Sequence, residues 1–402
     1  MKEPISRFFS KATMSMQHSF IREILKLTKG VEGVISFAGG LPNPESFPKA
    51  LLADIFRQVV DQEGEDVLQY GASEGDTILK DALRQLEKMP DLPHEQLIVT
   101  AGSTNGIYFF TRTFIDPGDV IISEAPGFPG SLAAMEACGA RFVGVEMDEA
   151  GMLPDQLEKM LKSLQDDKEP VKFIYVIPEF QNPSGRTMDI RRRREIIEIA
   201  IQYDLPILED QPYRELRYDG EPLPTLWELA RNQYKDSDLV TLCKSFSKIL
   251  GPGMRLGYTM GPSDVVGQMV KWAQKITVSP DCTTQRVAAR FIENGHMNGH
   301  IAKIIDLYRP RRDAMLNALE AHMPANVKWT HPEGGMFVWV TFPDEVDTDA
   351  VLIRAVENKV AFIPGSKFYT GGIVKKNELR LNFSYTSLDL IEEGIKRLSA
   401  LL

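Results

Sequence analysis

The chain has 402 residues, 43% hydrophobic and 25% charged, with a formal net charge of −10. No apolar run approaches the roughly 18 residues that a membrane span needs, and an acidic balance argues against a nucleic-acid partner, because phosphate backbones are met by basic surface. The length exceeds the roughly 250 to 300 residues at which single cores stop growing, so two lobes are expected.

The first forty residues carry a short amphipathic helix, "FIREILKLT", and the Gly- and Pro-rich "FAGGLPNPESFP". They are too few to fold alone and are assigned as an arm or cover, residues 1–45. The N-terminal "MKEPISRFFSKATMSMQHSF" lacks the apolar stretch and cleavage site of a secretory signal, which reads as cytoplasmic. Next, short β-branched runs alternate with helical patterns: "QLIVT", "DVIIS", "RFVGVEM", "KFIYVI" and "LPILED" are separated by helical stretches. Such alternation predicts an α/β domain whose mostly parallel sheet is covered by helices on both faces, residues 46–289. In these sheets ligands bind beyond the carboxyl ends of the strands. From about residue 290 a long helical stretch precedes "VKWT", "MFVWVTF", "VAFI" and "ELRLNFS", which predicts a smaller α+β lobe, residues 290–402.

Several features read as structural. The basic run Arg191–Arg194 opens a helical pattern and is assigned to a solvated helix face. Cys138, Cys243 and Cys282 are far apart, which supports neither a disulfide framework nor a structural zinc site. His296 and His300 lack an accompanying acidic pattern and are assigned as exposed loop or helix-end histidines, so no metal site is expected.

The residues after the strands carry the chemistry. In "SFSKILGPGMRLGY" a Lys248 buried among apolar residues would lose its charge readily and attack a carbonyl, as a Schiff base requires. If that carbonyl belongs to pyridoxal phosphate, the protein must also supply phosphate donors, a carboxylate for the ring nitrogen and partners for the ring hydroxyl. Ser245 and Arg255 flank Lys248 across a Gly-Pro-Gly turn and can converge on one phosphate. Asp210, closing "LPILEDQPY", is the carboxylate candidate, with a helix N-cap as the plain alternative. Tyr213, three residues after Asp210, and Asn182 in "PEFQNPSG" follow two different strand ends and can hydrogen-bond a ring oxygen, although Asn-Pro also marks turns. Gly102, Ser103 and Thr104 follow a strand and open a helix, which makes either an anion site or an ordinary cap.

The stretches "NPSGRT", "EDQPY", "SFSKILGPGMRLGY", "PEGGMFVWV" and "ELRLNFS" occur in this order and resemble the fold type I pyridoxal-phosphate aminotransferases of class I/II. The resemblance runs from about residue 34 to the end and is strongest to the 2-aminoadipate and kynurenine aminotransferase-like branch. It implies that Lys248 forms the internal aldimine, that Asp210 pairs with the pyridine nitrogen and that Asn182 and Tyr213 hold the ring hydroxyl. Ser245, Arg255, Gly102, Ser103 and Thr104 would bind the phosphate, and Phe128 would stack on the ring. Tyr70 would reach the phosphate of a neighbouring subunit, which implies a homodimer. Arg380 would clamp the substrate carboxylate; strand alternation sets Glu378, Arg380 and Asn382 on one face, and an ion pair to Glu378 is the plain alternative. Gly39 and Gly40 would form a tight substrate-side loop, and Arg22 either reads an acidic side chain of glutamate or 2-aminoadipate or is merely solvated.

The expected reaction is a ping-pong transfer of an amino group between an L-amino acid and a 2-oxo acid. A β-lyase or synthase would use the same Lys248, Asp210 and Arg380. The rival class is a serine hydrolase: "GASEG" matches a nucleophile elbow with Ser73, yet "GEDVLQY" before it does not read as a buried strand.

Overall fold

The computed structural model describes residues 5–16, 18, 20–28, 32–234 and 238–402. Its centre is an eight-stranded sheet in the order Leu97–Thr100, Gly257–Met260, Val240–Ser245, Ile207–Gln211, Val171–Val176, Val120–Ala125, Arg141–Asp148 and Gly151–Met152. Pairing is parallel from Val240–Ser245 through Arg141–Asp148. Gly257–Met260 runs antiparallel between Leu97–Thr100 and Val240–Ser245.

The strands read as continuous apolar runs because successive side chains enter two separate cores. Ile121, Phe173, Tyr175, Leu208 and Cys243 face one core, with Ile107, Phe110 and Met269 of the helices Ser103–Phe114 and Ser263–Ile276. Ile122, Ile174, Val176, Ile207 and Leu242 face the other, with Leu157, Ile196 and Leu226 of the helices Pro154–Asp166, Ile190–Gln202 and Leu226–Gln233. The alternation also sorts the polar residues of one strand end: Glu209 accepts from the first-turn amides of Leu226 and Trp227 at 3.0 and 2.9 Å, which leaves Asp210 on the opposite face.

A second, antiparallel sheet has the order Lys328–Trp329, Phe337–Thr341, Glu378–Asn382 and Ile363–Pro364. It lies with the helices His296–His322 and Leu388–Ser399. The stretch expected as one strand, "VAFI", is divided. Val360–Ala361 pairs in parallel with Ile35–Ser36 of the N-terminal segment, and Ile363–Pro364 joins the four-stranded sheet. The segment then continues past Phe37, whose carbonyl accepts from the Asn382 amide at 2.9 Å, and so reaches the junction between the two sheets.

Two structural assignments are corrected. Arg192 and Arg193 are not on a solvated face: both are buried, Arg192 against Asp148 at 3.0 Å and Arg193 against the fully buried Glu179 at 3.1 Å. A helix packed on the sheet through Ile196 and Ile197 turns its first turn toward the loop after Val171–Val176, where Glu179 requires a cation. His296 and His300 do stand at a helix start, yet His300 is buried rather than exposed.

Candidate active site

Lys248 lies in a loop between the antiparallel neighbours Val240–Ser245 and Gly257–Met260. Its Nζ donates to the Gly40 carbonyl at 2.9 Å and sits 6.0 Å from the centre of the Tyr213 ring. Burial, and then the charge of Arg380, push its amine down to about 8. The residue as a whole is half-buried, and its amine meets a carbonyl, a phenol ring and a guanidinium rather than the purely apolar surroundings expected from the sequence.

Asn182 joins two of the other candidates. Its Nδ2 donates to the Tyr213 hydroxyl at 3.1 Å, and its Oδ1 accepts from Arg380 Nη1 at 2.9 Å. Arg380 Nη2 donates to the Ala38 carbonyl at 2.8 Å, and the guanidinium lies 4.3 Å from the Phe337 ring and 5.0 Å from that of Phe368. Arg380 is 1% exposed and has no carboxylate partner among the described residues. Burial lowers it to about 10, so it stays protonated at neutral pH. The ion pair to Glu378 is not made: that carboxylate accepts from the Tyr369 hydroxyl at 2.5 Å and from Thr341 at 3.4 Å.

Asp210 is buried at the end of Ile207–Gln211 and caps no helix. Its Oδ2 accepts from Tyr175 at 2.8 Å and Ser131 at 3.3 Å, whereas Oδ1 has no partner. Burial raises its carboxyl to about 6, against the two hydrogen bonds. A buried acceptor of this kind suits a protonated ring nitrogen.

The phosphate candidates gather where the helix Ser103–Phe114 begins. Gly102 is its N-cap with φ +86°, no side chain caps the first turn, and a Cβ there would lie 2.9 Å from Arg255 Nη2. Ser103 and Thr104 occupy the first two helical positions. Arg255, itself left-handed at φ +47°, donates to the Ala101 carbonyl at 3.1 Å. The turn closes against Gly257, where a Cβ would meet the Ser103 amide nitrogen at 2.7 Å. Ser245 ends the neighbouring strand, its Oγ accepting from the Ser247 amide at 3.2 Å. The uncapped first turn, the Arg255 guanidinium and the Ser245 hydroxyl gather in one place and fit a phosphate; with Asp210, Tyr213 and Lys248 they fit pyridoxal phosphate.

The remaining candidates are placed less uniformly. Phe128 precedes the helix Pro129–Glu136 as its N-cap. Gly39 and Gly40 belong to the segment that supplies the carbonyl to Lys248, and a Cβ on Gly40 would stand 3.2 Å from the Phe337 ring. Arg22 is exposed on the helix Phe20–Thr28, and Tyr70 is 82% exposed. The hydrolase reading fails: Ser73 lies in a turn after the helix Lys49–Val67, not after a strand, and its hydroxyl donates to the Val278 carbonyl. Sequence reasoning missed Tyr175, Ser131, Phe337, Phe368 and the Ala38 carbonyl. Only Tyr175 left a signal, as the one hydroxyl in the apolar run "KFIYVI".

Residues 34–398 match the family model of aminotransferase class I and II. The aromatic-amino-acid aminotransferase 1 of Thermococcus litoralis is 41% identical over 98% of this chain and 93% of its own. The 2-aminoadipate transaminase of Thermus thermophilus is 34% identical over 99% and 97%. Among solved structures, the multiple substrate aminotransferase of Thermococcus profundus superposes with a TM-score of 0.92 at 41% identity, covering 98% of this chain and 97% of that one. The α-aminoadipate aminotransferase of Thermus thermophilus, complexed with N-(5'-phosphopyridoxyl)-L-leucine, gives 0.90 at 32% identity, covering 100% and 98%. With its central sheet and this match along nearly its whole length, the chain belongs to the class I and II aminotransferases, pyridoxal-phosphate enzymes of fold type I.

Proposed function

We propose that Lys248, Asp210, Asn182, Tyr213 and Arg380 are the working residues of this aminotransferase, carrying an amino group from an L-amino acid to a 2-oxo acid in two half-reactions. The observation that carries the reading is Arg380: a buried guanidinium without a carboxylate partner among the described residues, close to the Lys248 amine lowered to about 8. An uncompensated buried cation is costly unless a ligand supplies the anion, and the α-carboxylate common to amino acids and 2-oxo acids does so in two-pronged fashion. Phe337 and Phe368 hold the fork in place, and Asn182 fixes one of its nitrogens.

When bound, pyridoxal phosphate supplies an aldehyde for amines and a ring that draws electrons from the α-carbon. Gly102, Ser103, Thr104, Ser245 and Arg255 would hold its phosphate, Asp210 its ring nitrogen and Asn182 and Tyr213 its ring hydroxyl, and Phe128 would stack on its ring. Lys248, whose amine is lowered to about 8 and so gives up its proton far more readily than an ordinary lysine, removes the proton from the substrate α-carbon and returns it on the reverse half-reaction. The test is reduction of the cofactor-loaded protein with borohydride followed by peptide mapping, together with the visible spectrum before and after glutamate. Label at Lys248 and a spectral change on glutamate are expected; an unlabelled Lys248 overturns the assignment.

The substrate class extends the same reading. The helix Phe20–Thr28 places Phe20 4.7 Å from Lys367 Nζ, beside Phe368 of the Arg380 sandwich, so it lies close to the substrate side. Arg22 of this helix is proposed to meet an acidic side chain, glutamate or 2-aminoadipate. Arg22→Ala then weakens glutamate turnover more than leucine turnover, and equal losses refute it.

Exposed Leu68 and Tyr70 adjoin exposed Ile276 and Val278, linked by the bond from Ser73 to the Val278 carbonyl. A second copy of the chain is the proposed cover, with Tyr70 directed to the partner's phosphate. The arm, large and small lobes are proposed at residues 1–45, 46–289 and 290–402. The free thiols Cys138, Cys243 and Cys282 accord with a cytoplasmic site of action.

A further inference from the structure

Asp210 is held from three sides. Its neighbour strands are Val171–Val176, which brings Tyr175, and Val240–Ser245, whose Cys243 is its register partner. The helix Pro129–Glu136 presents Ser131 from its first turn. Tyr175 and Ser131 are 1% and 2% exposed, and both donate to the same oxygen, Oδ2, at 2.8 and 3.3 Å. Among the described residues no cation lies within ion-pair distance of Asp210. The titratable groups facing it are Tyr175, Tyr213, Cys243 and Glu124, and each is buried. Burial raises the thiol of Cys243 and the hydroxyls of both tyrosines, so these carry no charge at neutral pH. Glu124, raised to about 8 by burial, adds no stabilising charge either. Only hydrogen bonds therefore oppose the tendency of this buried carboxyl to take up a proton.

We propose that Tyr175 and Ser131 are positioning residues for the cofactor: by donating to Oδ2 they orient the Asp210 carboxylate and keep it ionised, so that Oδ1 alone is presented to the ring nitrogen. This rests on the reading of Asp210 as the ring-nitrogen partner. The proton shared between Asp210 and the ring resides on the ring only while the carboxylate is the weaker base. Removing a donor from Oδ2 makes the carboxylate more basic and draws that proton away from the ring. The fixed plane of the carboxyl group contributes as well, because an unrestrained carboxylate would present either oxygen.

The experiment uses holoenzyme loaded with pyridoxal phosphate labelled with nitrogen-15 in the ring. It reads the ring-nitrogen chemical shift and, separately, the affinity of the apoenzyme for the cofactor. Tyr175→Phe keeps the ring in the core and removes only the donor. It should move the resonance toward the unprotonated position and weaken cofactor binding on the order of tenfold to a hundredfold, the range for a hydrogen bond to a charged group. Ser131→Ala should act in the same direction by about two- to fivefold, because its contact is longer. An unmoved resonance and unchanged affinity in folded Tyr175→Phe, with Asp210→Asn strongly affected, overturn the positioning role alone. No effect of Asp210→Asn overturns the reading beneath it. Should Tyr175→Phe fail to fold, 3-fluorotyrosine at 175 strengthens the donor and should move the resonance the opposite way; no movement with it or with Ser131→Ala overturns the proposal.

Discussion

Lys248 allows the link between site chemistry and stability to be measured. Its amine falls from an ordinary 10.5 to about 8 in the folded protein, first through burial and then through Arg380. At about 1.4 kcal/mol per pH unit this gap is a penalty of roughly 3 kcal/mol. Below about pH 8 the lysine is charged both folded and unfolded, and the folded state carries the whole penalty. As the pH rises from about 8 to about 10.5 the folded state releases its proton first, so stability recovers, and above that range the penalty is gone. Lys248→Met removes the charge while keeping an unbranched chain of similar length, at the loss of the hydrogen bond to the Gly40 carbonyl, about 1 kcal/mol. The cofactor-free variant should therefore exceed the cofactor-free parent by about 2 kcal/mol near pH 7 and by about zero near pH 10. Urea unfolding of both proteins across this range measures the gap. A variant less stable than the parent near neutral pH, or a gap that does not change with pH, would refute the reasoning.

Other perturbations probe the neighbouring groups. Arg380→Lys cannot bridge Asn182, Ala38 and a carboxylate together; KM for amino acid and 2-oxo acid alike should rise about tenfold to a hundredfold in single half-reactions, and an unchanged KM would contradict the carboxylate role. Gly102→Ala forces a side chain onto a φ of +86° and against the Arg255 guanidinium at 2.9 Å. Cofactor affinity, read by fluorescence titration, should drop by about tenfold or more, and parity with the parent would remove this turn from the phosphate site. Arg193→Met leaves the buried Glu179 with Arg217 at 2.7 Å but breaks the fully buried pair. A loss of about 3 kcal/mol in urea unfolding with KM unchanged is expected, whereas a KM effect without a stability loss would place Arg193 in the site.

Much of this architecture was legible as pattern. Strands such as "DVIIS" and "KFIYVI" announce themselves because a sheet buried on both faces needs apolar residues at every position. Lys248, Asp210, Asn182 and Tyr213 stand out because they are polar residues at or just beyond the ends of such runs, where side chains leave the core. The Arg191–Arg194 run misled for the converse reason: a basic run looks solvated unless its carboxylate partner, here Glu179 or Asp148, is known to be near. The division of "VAFI" was likewise hidden, because its first half pairs with Ile35–Ser36, more than three hundred residues earlier.

By itself the sequence determined the alternation of strands and helices and which polar groups stand where strands end, since these follow from local periodicity. Only the tertiary structure decided that Arg380 lies between Phe337 and Phe368 without an acidic partner among the described residues, and that Oδ1 of Asp210 is left free. Those properties depend on groups distant in the chain that meet in a buried space, where desolvation and unpaired hydrogen-bonding capacity arise from packing and not from order along the backbone.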